Sequence, residues 1–585
     1  MKIERKGLSL IEVIIAIGLI SLLFGAIYAS YVSILDVVTN SGVRTEAATI
    51  ASNQIEIIRN LPYDQVGTQG GVPSGILPQV QVVTSTNGFT FTLNISVRNI
   101  DDPFDGTLGG SPNDTSPNDY KLAELSIRCT SCARSVPLVM TTTVAPKNLE
   151  SGSSDGSLFV NVLDASGQPV STATVQIVNA SVTPSINLTD TTNANGVLQL
   201  IGTPTSTLGY AITVTKAGYS SEKTYIIGSP ENPEPTSQYT HASVAAQTLS
   251  SKTFFIDKLS TTTFKTVDAL CYPVGDRAFS LEGQKTIGNN VLKFSSSSTT
   301  NSSGEKVWGG LEWDTYTTEL SGSGYDLLGT IPFSTTFTVN PNTSMDFSFV
   351  LSTTSPNSLL VTVQNSSTGA GIASATIALT RSGFSETKKT ARAFLSETNW
   401  AAGNFEGQDG GVDTTSVPGT LRLMVNASSL YPTGVTSWLT SNAFDIGSST
   451  GNFYNLTWQP TSQPAGGSMS FQLASNNDNA TWNFIGPDGT TGTYYASSGE
   501  AIYSGHLNHR YVKYKAYLST TDELVTPTLS EVQIEFYGAC VPSAQALFQD
   551  LSSGSYTASV SAPGYTTAST SIAVGSGFNV TTISL

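Results

Sequence analysis

At 585 residues and a net charge of −16, the chain is too long for one domain and too acidic for general binding to nucleic acid phosphates. Hydrophobic residues make up 39% and charged ones only 12%, enough for several small cores but too little apolar sequence for a polytopic membrane protein. Abundant Thr, Val, Tyr and Gly favour β-sandwiches over helix bundles, so the expected class is mostly β.

The chain opens with a basic head carrying Lys2, Arg5 and Lys6, and Gly7 separates that head from an apolar run. No residue from Val13 to Leu35 is charged. As a helix this stretch measures roughly 35 Å, enough to cross a hydrocarbon core of about 30 Å. The positive head stays cytoplasmic and the rest is sent outward. Glu12 sits near the start of the run, although a charge at the centre of a membrane helix costs roughly 2.5–3.5 kcal/mol. A secretory signal would be shorter and cut on the far side, after Ala29 in GAIYAS. Here the apolar period continues through Ala47, Ala51, Ile55 and Ile58 to Asn60, and Leu61-Pro62 ends it. One transmembrane helix over 8–61 is predicted.

KGLSLIEVIIAIGLISLL resembles the class III signal of type IV prepilins and type II secretion pseudopilins. The resemblance implies cleavage by a prepilin peptidase between Gly7 and Leu8, so that 1–7 is a leader, and N-methylation of Leu8. Leu8 departs from the Phe usual at the first mature position. Glu12 becomes the fifth mature residue, placed to meet the freed amine of a neighbouring subunit in a filament. A buried pair of this kind adds little net stability, but an unpaired buried charge costs several kcal/mol and so penalises wrong register. The implied partners are other pilin subunits, the prepilin peptidase and an inner-membrane assembly platform. The implied location is the inner membrane, single-pass with a cytoplasmic N-terminus, and then an extracellular filament.

The resemblance to minor pilins extends into NLPYDQVG and implies an α+β pilin head over 62–148. QVQVVTSTNGFTFTLNISVRNI reads as two strands joined through Thr-Asn-Gly-Phe, and YKLAELSI and SVPLVMTTTVA as two more. Between them lies DDPFDGTLGGSPNDTSPND, with Asp101, Asp102, Asp105, Asp114 and Asp119. Hard oxygen donors on a Gly-rich loop suit Ca²⁺, with Asp101, Asp102 and Asp105 as candidate ligands. No EF-hand spacing is present, and the same composition also makes an ordinary solvated loop.

Cys129 and Cys132 form a CxxC after a strand-like segment. Structural zinc needs a second pair or nearby histidines, and a thioredoxin-like motif needs a helix start. A local disulfide is the remaining reading. Cys271 and Cys540 stand alone, and their spacing does not say whether they bridge.

A Gly/Ser-rich linker is expected over 149–157. Beyond it the sequence repeats itself. LFVNVLDASGQPVSTATVQIV and LLVTVQNSSTGAGIASATIAL share an order of strand, turn and strand, and Gly-Tyr corners recur at Gly218, Gly324 and Gly564. TTNANG and TTNSSG turns precede two of those corners. This combination resembles the carboxypeptidase regulatory-like domain, an Ig/transthyretin-like sandwich that acts as a noncatalytic spacer. The expected copies are 158–257, a diverged 258–355, and a third split into 356–396 and 539–585. The interruption, 397–538, reads as an inserted jelly-roll-like β-sandwich.

Four of the six tryptophans, Trp400, Trp438, Trp458 and Trp482, fall in the insert. Trp438, Trp458 and Trp482 are candidate glycan contacts if they line an exposed rim; tryptophans in a sandwich are more often core. His506 and His509 have metal-like spacing without a third ligand, which favours a polar hairpin loop. No nucleophile elbow, P-loop, HExxH or Cys-His pairing is found, and no enzyme is expected. The expected function is a minor pilin or pseudopilin displaying sandwiches for surface adhesion. A ligand-free assembly primer and a type II secretion pseudopilin are the alternatives.

Overall fold

The computed structural model describes residues 10–114, 116–132, 136–147, 154–233, 239–288 and 290–585. The chain is mostly β and divides into two compact units. One comprises residues up to Lys258 with Thr286–Val291, and the other Leu259–Lys285 with Leu292–Leu585.

Leu10–Asn60 is one α-helix, roughly 77 Å long at 1.5 Å per residue. Its first half is bare, with Ile14, Leu22 and Phe24 exposed. Among the described residues it is the helix long and apolar enough to cross a membrane by length and composition. Its second half buries Val43, Ala47, Ala51, Ile55 and Ile58, spaced by fours and a three along one face. That face packs with Leu93, Ile95, Val97, Leu125 and Ile127 in one core. These come from a sheet whose antiparallel strands run in order Val80–Thr84, Thr90–Ile100, Tyr120–Cys129 and Leu138–Val144. Lys121 ties the sheet to the helix exit by donating to the carbonyls of Tyr63 and Val66 at 2.7 Å each. Burial pushes its ammonium down to about 8.

This head is joined to the first sandwich within its unit. Arg98 Nε and Nη2 donate to the two carboxylate oxygens of Asp190 at 2.8 and 2.6 Å, and Asn99 donates to the Ile201 carbonyl at 2.8 Å. Only 9% of the Asp190 side chain is exposed, so removing its cation strands a buried charge. Arg98→Ala should therefore destabilise this unit by about 2 kcal/mol. Thermal unfolding of the full chain checks this, and Arg98→Ala/Asp190→Ala should recover part of the loss.

The three sandwiches share one wiring. Their first strands, Gly156–Leu163, Ser260–Val267 and Asn357–Gln364, pair in parallel with Leu249–Phe255, Ser344–Thr353 and Gly577–Ser584. On their other edges they pair with Val197–Thr203, Glu305–Leu311 and Gln545–Phe548. The linker expectation needs correcting, because Gly156 and Ser157 already pair with Thr203 and Ile201 and belong to the first strand.

Local geometry repeats as well. Thr172, Asp276 and Ser374 hold left-handed backbone at φ 54°, 60° and 59°. Thr192 and Thr390 each accept an amide, from Ala173 and Ala375, at 2.9 Å, and donate to Val170 and Ile372 carbonyls at 2.7 Å. Tyr316 and Tyr556 each donate to the carbonyl four residues back, at 2.9 and 2.8 Å, and Tyr210 donates to the Pro204 carbonyl. The corner glycines Gly218, Gly324 and Gly564 have φ of 78°, 96° and 83° with open space around them. Conformation rather than crowding therefore requires glycine there.

In the first two sandwiches an Asx turn follows Thr192 and Thr300. Asn193 and Asn301 side chains accept two amides each, and Gly196 and Gly304 close the turns. After Thr390 the third copy has no such turn, and the chain leaves to build the insert before returning at Gln545–Phe548. Strand Ala393–Glu397 pairs with Glu531–Tyr537, so residues 393–396 belong to the insert and its boundary moves back from 397. Burial of Ala393 and Leu395 in the insert's core is the reason. The insert has one sheet of Ala393–Glu397, Glu531–Tyr537, Asn452–Gln459 and Glu500–Ala501. A second is centred on Tyr511–Thr520, flanked by Thr436–Ser441 on one edge and Gly467–Asn476 on the other.

Candidate functional site

Strand Tyr511–Thr520 alternates except at Lys513, which is buried although it shares a face with Lys515 and Tyr517. Val512, Tyr514, Ala516 and Leu518 are fully buried, which turns Tyr511, Lys513, Lys515 and Tyr517 to the opposite face. Trp438 stands opposite Tyr517 on the neighbouring strand, and Ser470 opposite it on the other. The Lys515 ammonium lies 3.8 Å from the Trp438 ring centroid. Tyr494, partly exposed, meets Tyr517 edge-on at 5.0 Å. Tyr517 donates to Gln472 Oε1 at 2.8 Å, and Gln472 Nε2 donates to the Thr491 and Thr493 carbonyls at 2.9 Å each. Lys513 pairs with the Glu406 carboxylate and sits 4.1 Å from the Trp482 ring centroid. Asp409 accepts the amides of Trp438 at 3.2 Å and Gly411 at 2.9 Å. Burial lowers the Lys515 ammonium, and the Asp409 carboxylate opposes that.

The face thus combines four aromatic rings with hydrogen-bonding groups, and its charges are matched by opposite ones nearby. Rings of this kind stack on apolar C–H faces, while amide and hydroxyl groups fix orientation by hydrogen bonds. Trp438 and Trp482 belong to it. Trp458 does not: it is 3% exposed, with its ring centroid 4.7 Å from that of Phe471, so its expectation as a glycan contact is corrected to core. Trp400 is buried too, its indole donating to the Tyr514 hydroxyl at 2.8 Å. Sequence reasoning missed Tyr494, Tyr517, Lys513, Lys515 and Gln472, although the alternation of RYVKYKAYL carried the signal for three of them.

His506 and His509 converge on one hydroxyl. Their Nδ1 atoms lie 2.7 and 2.6 Å from Ser475 Oγ. The hydroxyl has one proton to give, so at least one of the two rings must donate to it. His506 Nε2 is buried without a partner. A bare lone pair is the cheaper occupant of that spot, which assigns the Nδ1–H to His506. Burial, aided by His509, pushes His506 down to about 4. A histidine with a depressed folded value contributes stability above about pH 6.5 that is lost as pH falls toward 4. Acidifying from pH 7.5 to 4.5 should destabilise the insert by on the order of 2–3 kcal/mol. Urea midpoints across that range check this, and His506→Gln should flatten the dependence.

In the acidic loop one oxygen each of Asp101, Asp102 and Asp114 closes a turn, while Asp101 Oδ1, Asp114 Oδ2 and Asp119 Oδ1 are buried without a partner among the described residues. Asp101 accepts the Leu108 amide at 2.9 Å, Asp102 accepts the Phe104 amide at 3.2 Å, and Asp114 accepts the Ser116 amide at 2.7 Å. Asp105 is exposed. Burial raises the Asp101 carboxyl, with Asp114, Asp119 and Asp105 adding to the rise. No group of three or more metal-ligating side chains occurs among the described residues.

Cys129 bonds Cys132, and Cys271 bonds Cys540. Gly7 and Leu8, together with the side chain of Glu12, lie outside the described residues; the backbone of Glu12 is helical.

No protein-family model matches this chain, and no curated protein does. Among solved structures, the Bacillus anthracis TIE protein aligns at 13% identity and a TM-score of 0.15. The match covers 53% of this chain and 65% of that one, short of two thirds of its length. A Streptococcal ancillary pilin matches at 14% identity and a TM-score of 0.17, over 39% of this chain and 75% of that one. The minor pilin of the gram-positive Streptococcus agalactiae matches at 13% and 0.17, over 33% and 96%. Scores this low carry nothing over from those proteins.

Proposed function

We propose that the chain is a minor subunit of a type IV pilus-like filament that carries a glycan-binding domain outward as a non-enzymatic adhesin. One observation carries the filament half of this reading. A single helix has a bare apolar half and a second half seated on a four-stranded sheet, as a subunit needs if its neighbours are to cover the first half. The prepilin-like KGLSLIEV supports it, with a peptidase cutting between Gly7 and Leu8 and methylating Leu8. The subunit would wait in the inner membrane on its assembly platform until it joins the filament. Bulk of this size, repeated in every subunit, would crowd a filament, which favours a rare or tip position.

The outer face of the insert supports the adhesive half, since a subunit that only primes assembly, or a secretion pseudopilin, has no use for it. Glycan-array binding by the purified full chain tests this. Binding to a defined saccharide class is expected, and absence of binding to neutral and acidic glycans alike overturns it.

A further inference from the structure

We propose that the Cys271–Cys540 disulfide is a mechanical bypass. It passes tension from the second sandwich directly to the insert and keeps the third sandwich off the force path. Its use rests on the surface-displayed reading above, whereas its geometry does not.

Cys271 lies in the turn between Ser260–Val267 and Ala278–Gly283. That turn closes without it: Asp268 Oδ1 accepts the amides of Leu270 and Tyr272, both at 2.9 Å. The equivalent turns of the other sandwiches are closed by Asp164 and Asn365 in the same manner, and neither contains cysteine. The bond is therefore an addition to a self-sufficient turn. Cys540 follows the last strand of the insert, Glu531–Tyr537, just before the chain re-enters the third sandwich at Gln545. Ala269 and Leu270 pack against the insert's core, and a Cβ on Gly447 would lie 2.8 Å from the Cys271 sulfur. The two ends of the bond thus meet in a packed contact.

Covalent topology fixes the consequence. Without the bond, a pull between the helix and the insert runs through the whole second sandwich, then through Asn357–Gln364, Thr376–Arg381 and Phe384–Lys389. Those strands would be torn from Gln545–Phe548, Gly554–Ser561 and Gly577–Ser584, which hang beyond the insert and carry no load. With the bond, the path leaves at Cys271 and enters the insert from Cys540. Everything between is a closed loop spanning a sequence separation of 269. Its short arm sets the extension, so the long arm stays slack and folded. At the other end of the insert, where the chain enters it, Arg392 adds noncovalent contacts, reaching Glu535 at 3.5 Å and lying 3.5 Å from the Tyr454 ring centroid.

Single-molecule force spectroscopy on the full chain in detergent tests this, with one handle at the helix and a ligation tag beside Leu524, which is 74% exposed. With the bond intact, full extension should fall roughly 800 Å short of that after reduction, from about 3.5 Å per residue. No unfolding step of the third sandwich should occur. Cys271→Ser should behave as the reduced chain. Reduction of wild type supplies the same comparison should that variant misfold, because opening the three-residue Cys129–Cys132 loop adds only about 10 Å. Equal extension in oxidised and reduced chains overturns the proposal. The handle stands in for a ligand, so failure to bind glycans would overturn the adhesin reading and leave this result untouched.

Discussion

Glu12→Ala should leave the leader cut and the chain anchored, yet keep it out of filaments. In the proposed filament, the carboxylate meets the amine that cleavage frees on a neighbouring Leu8. Removing one partner leaves the other as an unpaired charge in an apolar bundle, at a cost of several kcal/mol. Taking about 3 kcal/mol, occupancy in the filament drops by roughly two orders of magnitude. The helix itself does not suffer, because alanine is the better helix former and removing a charge eases insertion. Immunoblots of sheared filaments against membrane fractions would show processed protein only in the latter. Glu12→Gln should behave likewise, since an amide keeps the size and loses the charge. Normal incorporation of either variant would refute the pairing.

Trp438→Ala and Trp458→Ala should separate binding from folding within one domain. Trp438 is half-buried on the outer face, and its loss removes a ring against which a sugar would stack while leaving the core intact. Glycan binding should fall at least tenfold, with the unfolding free energy within about 0.5 kcal/mol of wild type. Trp458 is packed on Phe471 in the core. Truncating it opens a large cavity and should cost about 3–5 kcal/mol, with binding lost only because the insert unfolds. Paired urea melts and glycan titrations distinguish the two. Undiminished binding by Trp438→Ala would move the site off this face.

Much of the fold was legible in the sequence because its signals are local. The helix follows from apolar residues at steps of three and four as far as Ile58, and it stops before Pro62. The repeated sandwiches follow from turn chemistry: Gly196 and Gly304 follow asparagines that cap the same turn, and Gly218, Gly324 and Gly564 hold left-handed backbone. Such residues act through their own φ and their near neighbours, so a sequence reader meets their cause directly.

What faces what was decided only by the tertiary structure. Alternation in RYVKYKAYL shows that Lys513, Lys515 and Tyr517 share a face, but not which face is covered, since a sheet has two. Trp438 and Trp458 have similar surroundings in sequence, and only the stacking of one sheet on the other sends Trp458 inward. Residues 393–396 joined the insert because Glu531–Tyr537, far along the chain, supplies their hydrogen bonds. The partner of Cys271 was unreadable for the same reason. A bridge needs two Cα atoms within several ångströms, and that closeness is made by packing across hundreds of residues. The sequence by itself determined the helix, the strands and the turns; long-range packing alone determined the insert's boundary, its outer face and the bond that ties it to the second sandwich.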